Sequence, residues 1–158
     1  MPTKAKMLEA KKLEAYLLDF DPEGLGLSKK ISPDNVLNFI SVSREGMEYS
    51  KYIKIFDCVE LFHLSDWAKY LHTNIRTLER YKKTKKKLDA SKSERVLQIG
   101  IVLSRGVEVF GNMVKFRSWL YNSNMALGNN KPKDLLDTNF GLGLVTDELT
   151  RIEYGIFA

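Results

Sequence analysis

Ser65-Asp66-Trp67-Ala68-Lys69-Tyr70-Leu71-His72-Thr73-Asn74-Ile75-Arg76-Thr77-Leu78-Glu79-Arg80-Tyr81 is the stretch whose reading decides the fold. Trp67, Ala68 and Leu71 recur at helical spacing behind Ser65-Asp66, which offer an N-cap, and after a break at His72-Thr73 a second short helix starts near Asn74. Two short helices joined by a tight turn are what a helix-turn-helix requires. Ala68 is small where the first helix must let the second cross closely, Leu71 closes the first helix, and Ile75 and Leu78 are expected to anchor the second inward. Arg76, Thr77, Arg80 and Tyr81 are then left to face outwards. Arginine can donate in bidentate fashion to guanine O6 and N7, and Asn74 and Thr77 lie near a helix N-terminus, where phosphate oxygens are stabilised. Two features depart from the common pattern: His72 occupies the turn where glycine is usual, and Trp67 is bulky. A helical hairpin with a solvated charged face is the competing reading.

Downstream, charge separates that reading from its competitor. Between residues 76 and 95 nine bases stand against three acids, so this segment alone exceeds the net charge of +5 for the whole chain. Lys82, Lys83 and Lys85 to Lys87 suit phosphate contacts better than base reading, because an ammonium is a point charge without fork geometry. Four or five engaged lysines predict a log–log salt slope of about −4 for DNA affinity. A lysine-rich loop that serves only solubility is the alternative. Ser91-Lys92-Ser93-Glu94 then fits a capping box and opens a long helix whose stripe runs through Val96, Ile99, Leu103, Val107 and Phe110, ending at Gly111-Asn112.

Upstream, residues 1 to 20 carry helically spaced apolar positions up to a break at Asp21-Pro22-Glu23-Gly24, and Pro33 to Ser43 offers a short helix with Val36, Leu37 and Ile40 on one face. Tyr49 to Leu61 is apolar enough for a buried helix, the reading adopted, although periodicity alone also allows a strand. Met113 to Tyr121, Pro132 to Leu136 and Asp147 to Tyr154 complete an all-α chain. Three parts are expected: a variable helical extension over residues 1–45, a helix-turn-helix DNA-binding domain over 46–95, and a small helical domain over 96–158. The extension is expected to contribute to self-association.

Composition excludes several classes. With 158 residues, 44% of them hydrophobic and 28% charged, the chain is a globular protein of one or two small domains. It has no apolar run of the roughly 18 to 20 residues that cross a bilayer, so no membrane partner and a cytoplasmic location are expected. Cys58 is the only cysteine, which excludes an internal disulfide, and its neighbours Phe56, Val59 and Leu61 suggest a buried small side chain. His63 and His72 lack partners at metal-ligand spacing, and Gly141-Leu142-Gly143 lacks the third glycine or the lysine of a phosphate loop. No catalytic residue, metal site or cofactor is therefore assigned. Asp147-Glu148 read as residues of a helix N-terminus.

The block after Met113 is of another kind. It holds five bases and five acids and stops on Ile156-Phe157-Ala158 with no polar tail, which implies a docked terminus. Polyanion binding therefore belongs to the middle of the chain.

Residues 60 to 158 resemble the Xre-type antitoxins that carry the Xre/MbcA/ParS toxin-binding domain, the partners of RES-domain toxins in bacterial toxin–antitoxin pairs. The resemblance rests on an ordered series: Arg76-Thr77-Leu78-Glu79-Arg80, Ser93-Glu94-Arg95, Phe110-Gly111, Trp119-Leu120, Ala126-Leu127-Gly128, Pro132 with Leu135-Leu136, Thr138 with Gly141, and Arg151-Ile152-Glu153-Tyr154-Gly155-Ile156-Phe157-Ala158. It departs from the pattern in the long lysine run after Tyr81 and in Asn129-Asn130, where the family often has a second glycine.

The resemblance implies an all-helical dimer that is not an enzyme. Its helix-turn-helix would bind operator DNA at its own promoter through Asn74, Arg76, Thr77 and Arg80. Its C-terminal domain would cover the NAD-consuming active site of a cognate RES-domain toxin through Leu149, Arg151, Ile152, Tyr154, Ile156 and Phe157. Arg151, Tyr154 and Phe157 recur three apart, so a final helix could project an arginine and two aromatics from one side. Packing of the same residues on Trp119 and the domain core is the alternative. Glycines 128, 141 and 155 are expected in turns and C-caps. A dimeric transcription regulator without a toxin partner is the second functional reading.

Overall fold

The structure is a computed structural model and describes residues 33–57 and 61–155. Cys58, the extension before residue 33, and Ile156, Phe157 and Ala158 lie outside the described residues. Among those described the protein is all-helical, with α1 (Pro33–Glu45), α2 (Tyr49–Phe56), α3 (Leu64–Tyr70), α4 (Ile75–Thr84), α5 (Ala90–Phe110), α6 (Met113–Tyr121) and α7 (Asn139–Glu153), plus two 3₁₀ turns at Met125–Leu127 and Pro132–Leu135. The chain divides into two compact units, with the division between Gly100 and Ile101, inside α5.

In the first unit the core contains a cluster of aromatic rings. Phe56 stacks on Trp67 at 4.5 Å between ring centres, Phe62 meets Trp67 and Tyr70 edge-on at 5.7 and 5.2 Å, and Tyr52 tilts against Phe56 at 5.3 Å. Such pairs add about 0.5–1.5 kcal/mol beyond the area they bury. The bulk of Trp67 is thus accommodated by Phe56 and Phe62. α2 is the helix expected between Tyr49 and Leu61, ending at Phe56. The N-cap of α3 is His63, two residues before the expected Ser65, and Asp66 instead turns back to accept a hydrogen bond from the His63 amide at 2.9 Å.

The connection from α4 to α5 is stitched to the corner between α1 and α2. The Leu88 amide donates to the Met47 carbonyl at 3.0 Å, the Met47 amide donates to Ser93 Oγ at 2.7 Å, and the Tyr52 hydroxyl donates to the Lys86 carbonyl. Gly46 makes the corner possible: its φ is +86°, and a Cβ there would lie 2.3 Å from the Leu88 carbonyl oxygen. Ser93 is fully buried in this stitch, and the expected capping box at Ser91 does not form because α5 already begins at Ala90. Asp89 caps α5 instead, accepting from the Lys92 amide at 2.9 Å and pairing with Lys92 Nζ at 2.7 Å.

The second unit is built around the last turns of α5. Phe116 of α6 lies flat on α5 because residue 106 is glycine; a Cβ at that position would be 2.0 Å from the Phe116 ring. Phe110, Phe116 and Trp119 then stack at 5.5 to 6.1 Å, and Leu103, Leu120, Leu136, Val145 and Leu149 are fully buried. Gly111 ends α5 in the left-handed conformation and Asn112 caps α6 by accepting from the Lys115 amide at 2.9 Å. The loop holding the first 3₁₀ turn closes through an Asn124–Asn130 bridge, and within it Asn129 holds φ +62°, a conformation asparagine tolerates.

α7 starts at Asn139, eight residues before the expected Asp147, because Thr138 caps it by accepting from the Gly141 amide at 3.0 Å. Asp147 and Glu148 are consequently mid-helix residues. Gly141 is no turn glycine either: it sits in the first turn of α7, where a Cβ would come within 1.7 Å of the Leu135 carbonyl oxygen. Gly128 and Gly155 do occupy turns, at φ +64° and +65°.

Candidate nucleic-acid and protein interfaces

α3 and α4 pack on each other through buried Ala68, Leu71 and Leu78. The turn between them is closed by the His72 amide donating to the Lys69 carbonyl at 3.2 Å and the Thr73 amide to the Ala68 carbonyl at 2.9 Å. This places His72 at φ +50°, the left-handed region in which glycine is favoured and other residues cost about 1–2 kcal/mol. Asn74 is the N-cap of α4, its Oδ1 accepting from the Thr77 amide at 2.8 Å, so its side-chain oxygen is committed to the helix.

Arg76 and Arg80, four residues apart on α4, are exposed on one side, and Thr77 beside them is half-buried. Two expectations fail here. Tyr81 does not face outwards: Leu78 and Tyr81, three apart, form the inward stripe, with Lys86 Nζ 5.0 Å from the Tyr81 ring centre. Ile75, expected to anchor inward, is instead exposed at the first helical position. Ser65, Lys69, Thr73, Asn74 and Arg76 line an open hollow over the turn.

Within the lysine run the structure separates paired from open charges. Lys82 pairs with Asp57 at 3.4 Å and Lys87 with Glu48 at 3.3 Å, whereas Lys83 and Lys85 are exposed without an ion-pair partner among the described residues. Lys85 ends α4 at φ +51°. Burial, together with the neighbouring Tyr49 and Tyr81 hydroxyls, pushes the Tyr52 phenol up to about 12, so it stays protonated as a donor to the Lys86 carbonyl. At Asp89 burial raises the carboxyl pKa, but the hydrogen bonds and charge of Lys92 outweigh it and hold the group below the usual carboxylate range.

In the second unit the expected partner-facing residues scatter. Leu149 is fully buried against its own domain, since it lies on the inward stripe of α7 with Leu142 and Val145. Ile152 is half-buried, and Arg151 is exposed, 3.4 Å from Glu148. Tyr154 is 70% exposed and is the C-cap of α7. Glu153 beside it pairs with Arg105 of α5, which fixes the end of α7. Trp119 packs with Phe110 and Phe116, while Tyr154 points to solvent.

The largest exposed apolar groups on α7 went unpredicted: Phe140 is 89% exposed and Leu144 52%. With α7 expected to begin only at Asp147, neither could be placed on a helix face. Given the true start, Phe140, Leu144, Asp147, Arg151 and Tyr154 follow spacings of four and three residues and share one exposed stripe. No group of His, Cys, Asp or Glu that could hold a metal occurs among the described residues, and none of their helices is long and apolar enough to cross a membrane.

Residues 105–155, nearly the whole described second unit, match the family described as the antitoxin Xre/MbcA/ParS C-terminal toxin-binding domain. The match covers the end of α5, α6, both 3₁₀ turns and α7, and a domain of this type implies a toxin as partner. No curated protein matches the chain.

Proposed function

We propose that the protein is the antitoxin of a bacterial type II toxin–antitoxin pair, which covers the active site of a RES-domain, NAD-consuming toxin and represses its own operon as a homodimer in the cytoplasm. The observation that carries this is the toxin-binding-domain match over residues 105–155, in a unit that exposes Phe140, Leu144, Arg151 and Tyr154 on a firmly packed helix. Aromatics and arginine are the residue types that dominate interface energetics. Arg151, Ile152 and Tyr154 are the described members of the toxin-facing set; Leu149 acts by supporting the helix from behind.

Repression is supported by the α3–α4 pair with its exposed Arg76 and Arg80 and by the lysines that follow. In this reading Arg76 and Arg80 read base edges, Asn74 and Thr77 set the helix N-terminus against a phosphate, and Lys83, Lys85 and Lys86 track the backbone. Lys82 and Lys87 already have carboxylate partners, so the salt slope is nearer −3 than −4.

Co-expression with the neighbouring reading frame tests the first part. The neighbour should arrest growth alone and be neutralised by the full chain, but not by a chain ending after Gly128. A harmless neighbour, or rescue by the truncated chain, overturns the sequestering role and leaves a transcription regulator. Titration of promoter DNA at several salt concentrations tests the second part, and loss of specific binding in Arg76→Ala with Arg80→Ala is expected.

A further inference from the structure

The exposed stripe of α7 has an order that a general apolar patch would lack. From Leu144 onward it reads Leu144, Asp147, Arg151, Tyr154, an acid and a base flanked by an apolar and an aromatic side chain, all exposed and spaced by three, four and three. Laid antiparallel on a second copy with the two-fold axis opposite residue 149, each of these four positions meets a complementary one. Leu144 faces Tyr154 of the other copy, and Asp147 faces its Arg151, which also keeps Glu148 of its own helix at 3.4 Å, so two reciprocal ion pairs lie between two apolar layers. A parallel pairing would instead set Asp147 against Asp147 and Arg151 against Arg151. Gly143 beside the stripe adds no side chain that would hold a second helix away, and a Cβ there meets nothing within 4 Å.

We propose that this stripe pairs two copies of the chain through antiparallel α7 helices. The eleven residues from 144 to 154 span roughly 16 Å, too little for the roughly 800 Å² per partner of a stable interface. The pairing is therefore weak and concentration-dependent. Within the reading given under Proposed function, Arg151 and Tyr154 also meet the toxin, so pairing and capture exclude each other. That consequence rests on the toxin reading, whereas the pairing itself does not.

Sedimentation velocity of the full chain over a concentration series tests the pairing without any toxin. Asp147→Arg alone makes both facing positions, 147 and 151, basic, and Arg151→Asp alone makes both acidic. Each is expected to weaken self-association about tenfold, while an equimolar mixture of the two variants, and the doubly exchanged D147R/R151D chain, associate like the original. Recovery in the mixture also shows that the single variants are folded. If all these proteins sediment alike, or if neither the mixture nor the double exchange recovers, the stripe does not join copies. Pull-down of the toxin by the doubly exchanged chain then separates the two readings: D147R/R151D that self-associates normally yet fails to hold the toxin supports a shared surface.

Discussion

The two units present their surfaces by opposite means. In the unit of residues 33–100, the basic segment after α4 is anchored through its main chain: the Lys86 carbonyl and the Leu88 amide are bound to Tyr52 and Met47, while exposed side chains carry the charge outwards. In the unit that begins at Ile101, α7 is anchored through its buried side, by Leu142, Val145, Leu149 and the close approach at Gly141, and shows apolar and charged groups together on the other side. A solvated charge needs only a fixed backbone to hang from. An exposed Phe140 needs a helix rigid enough that the ring does not fold back onto the core. Substitutions should therefore separate cleanly into those that move the scaffold and those that move only recognition.

The largest effect is expected at Gly141. Gly141→Leu would drive a side chain into the Leu135 carbonyl and should destabilise the second unit by about 3 kcal/mol or more, whereas Gly143→Ala, two residues on and in open space, should stabilise α7 by about 0.5–1 kcal/mol. Thermal melts followed by circular dichroism decide, and equal melting of the two variants would dissolve the contrast. Next comes Leu149→Ala, expected to cost about 2–5 kcal/mol of stability, against Tyr154→Ala, which should leave stability within about 0.5 kcal/mol but weaken toxin capture. A stable Leu149→Ala chain that has lost the toxin would place Leu149 at the interface after all.

In the first unit Tyr52→Phe should cost about 1–2 kcal/mol. Its signature lies in alkali. The folded-state pKa of about 12 stands above the value near 10 of an unfolded tyrosine, so this group's contribution is complete below about pH 10 and is lost as pH rises toward 12. Chemical denaturation between pH 8 and 11.5 should show that decline in the original chain and a shallower one in the variant. The smallest effect belongs to His72→Gly, which should gain up to about 1 kcal/mol by relieving the left-handed backbone.

Much of the scaffold was legible in residues. Pro33, Asn112 and the Gly111 stop marked helix ends because their conformational limits act locally. The helix pair around His72 could be read from Ala68, Leu71 and Leu78, whose spacing fixes the packing, and the missing glycine was noticed at the residue that holds φ +50°. What failed depended on how a segment packs against its surroundings. Ser91 reads as a capping residue until the helix is seen to begin at Ala90 with Asp89 as its cap, a start set where Ser93 is bound by Met47, forty-six positions away. Gly141 reads as a turn glycine until Leu135 is folded against it, and with that the start of α7 and the exposed Phe140 and Leu144 were lost to view. Taking Ile75 and Leu78 as the inward anchors leaves Tyr81 to face outwards, while its three-residue spacing from Leu78 argues the reverse. Of the expected toxin-facing set, Arg151 and Tyr154 are exposed and Leu149 is core: Leu149 belongs to that set by the resemblance alone, and its place on the inward stripe with Leu142 and Val145 shows only once the helix is known to start at Asn139.

The small loop closed by Asn124 and Asn130 holds one more consequence. It presents Met125 almost wholly to solvent, at 87%, while Met47 and Met113 are buried. Peroxide should convert the Met125 thioether to its sulfoxide well ahead of those two, and without disturbing packing, because that side chain supports nothing. The turn thus carries its own chemical clock, whose oxidation rate reports whether another molecule lies over it.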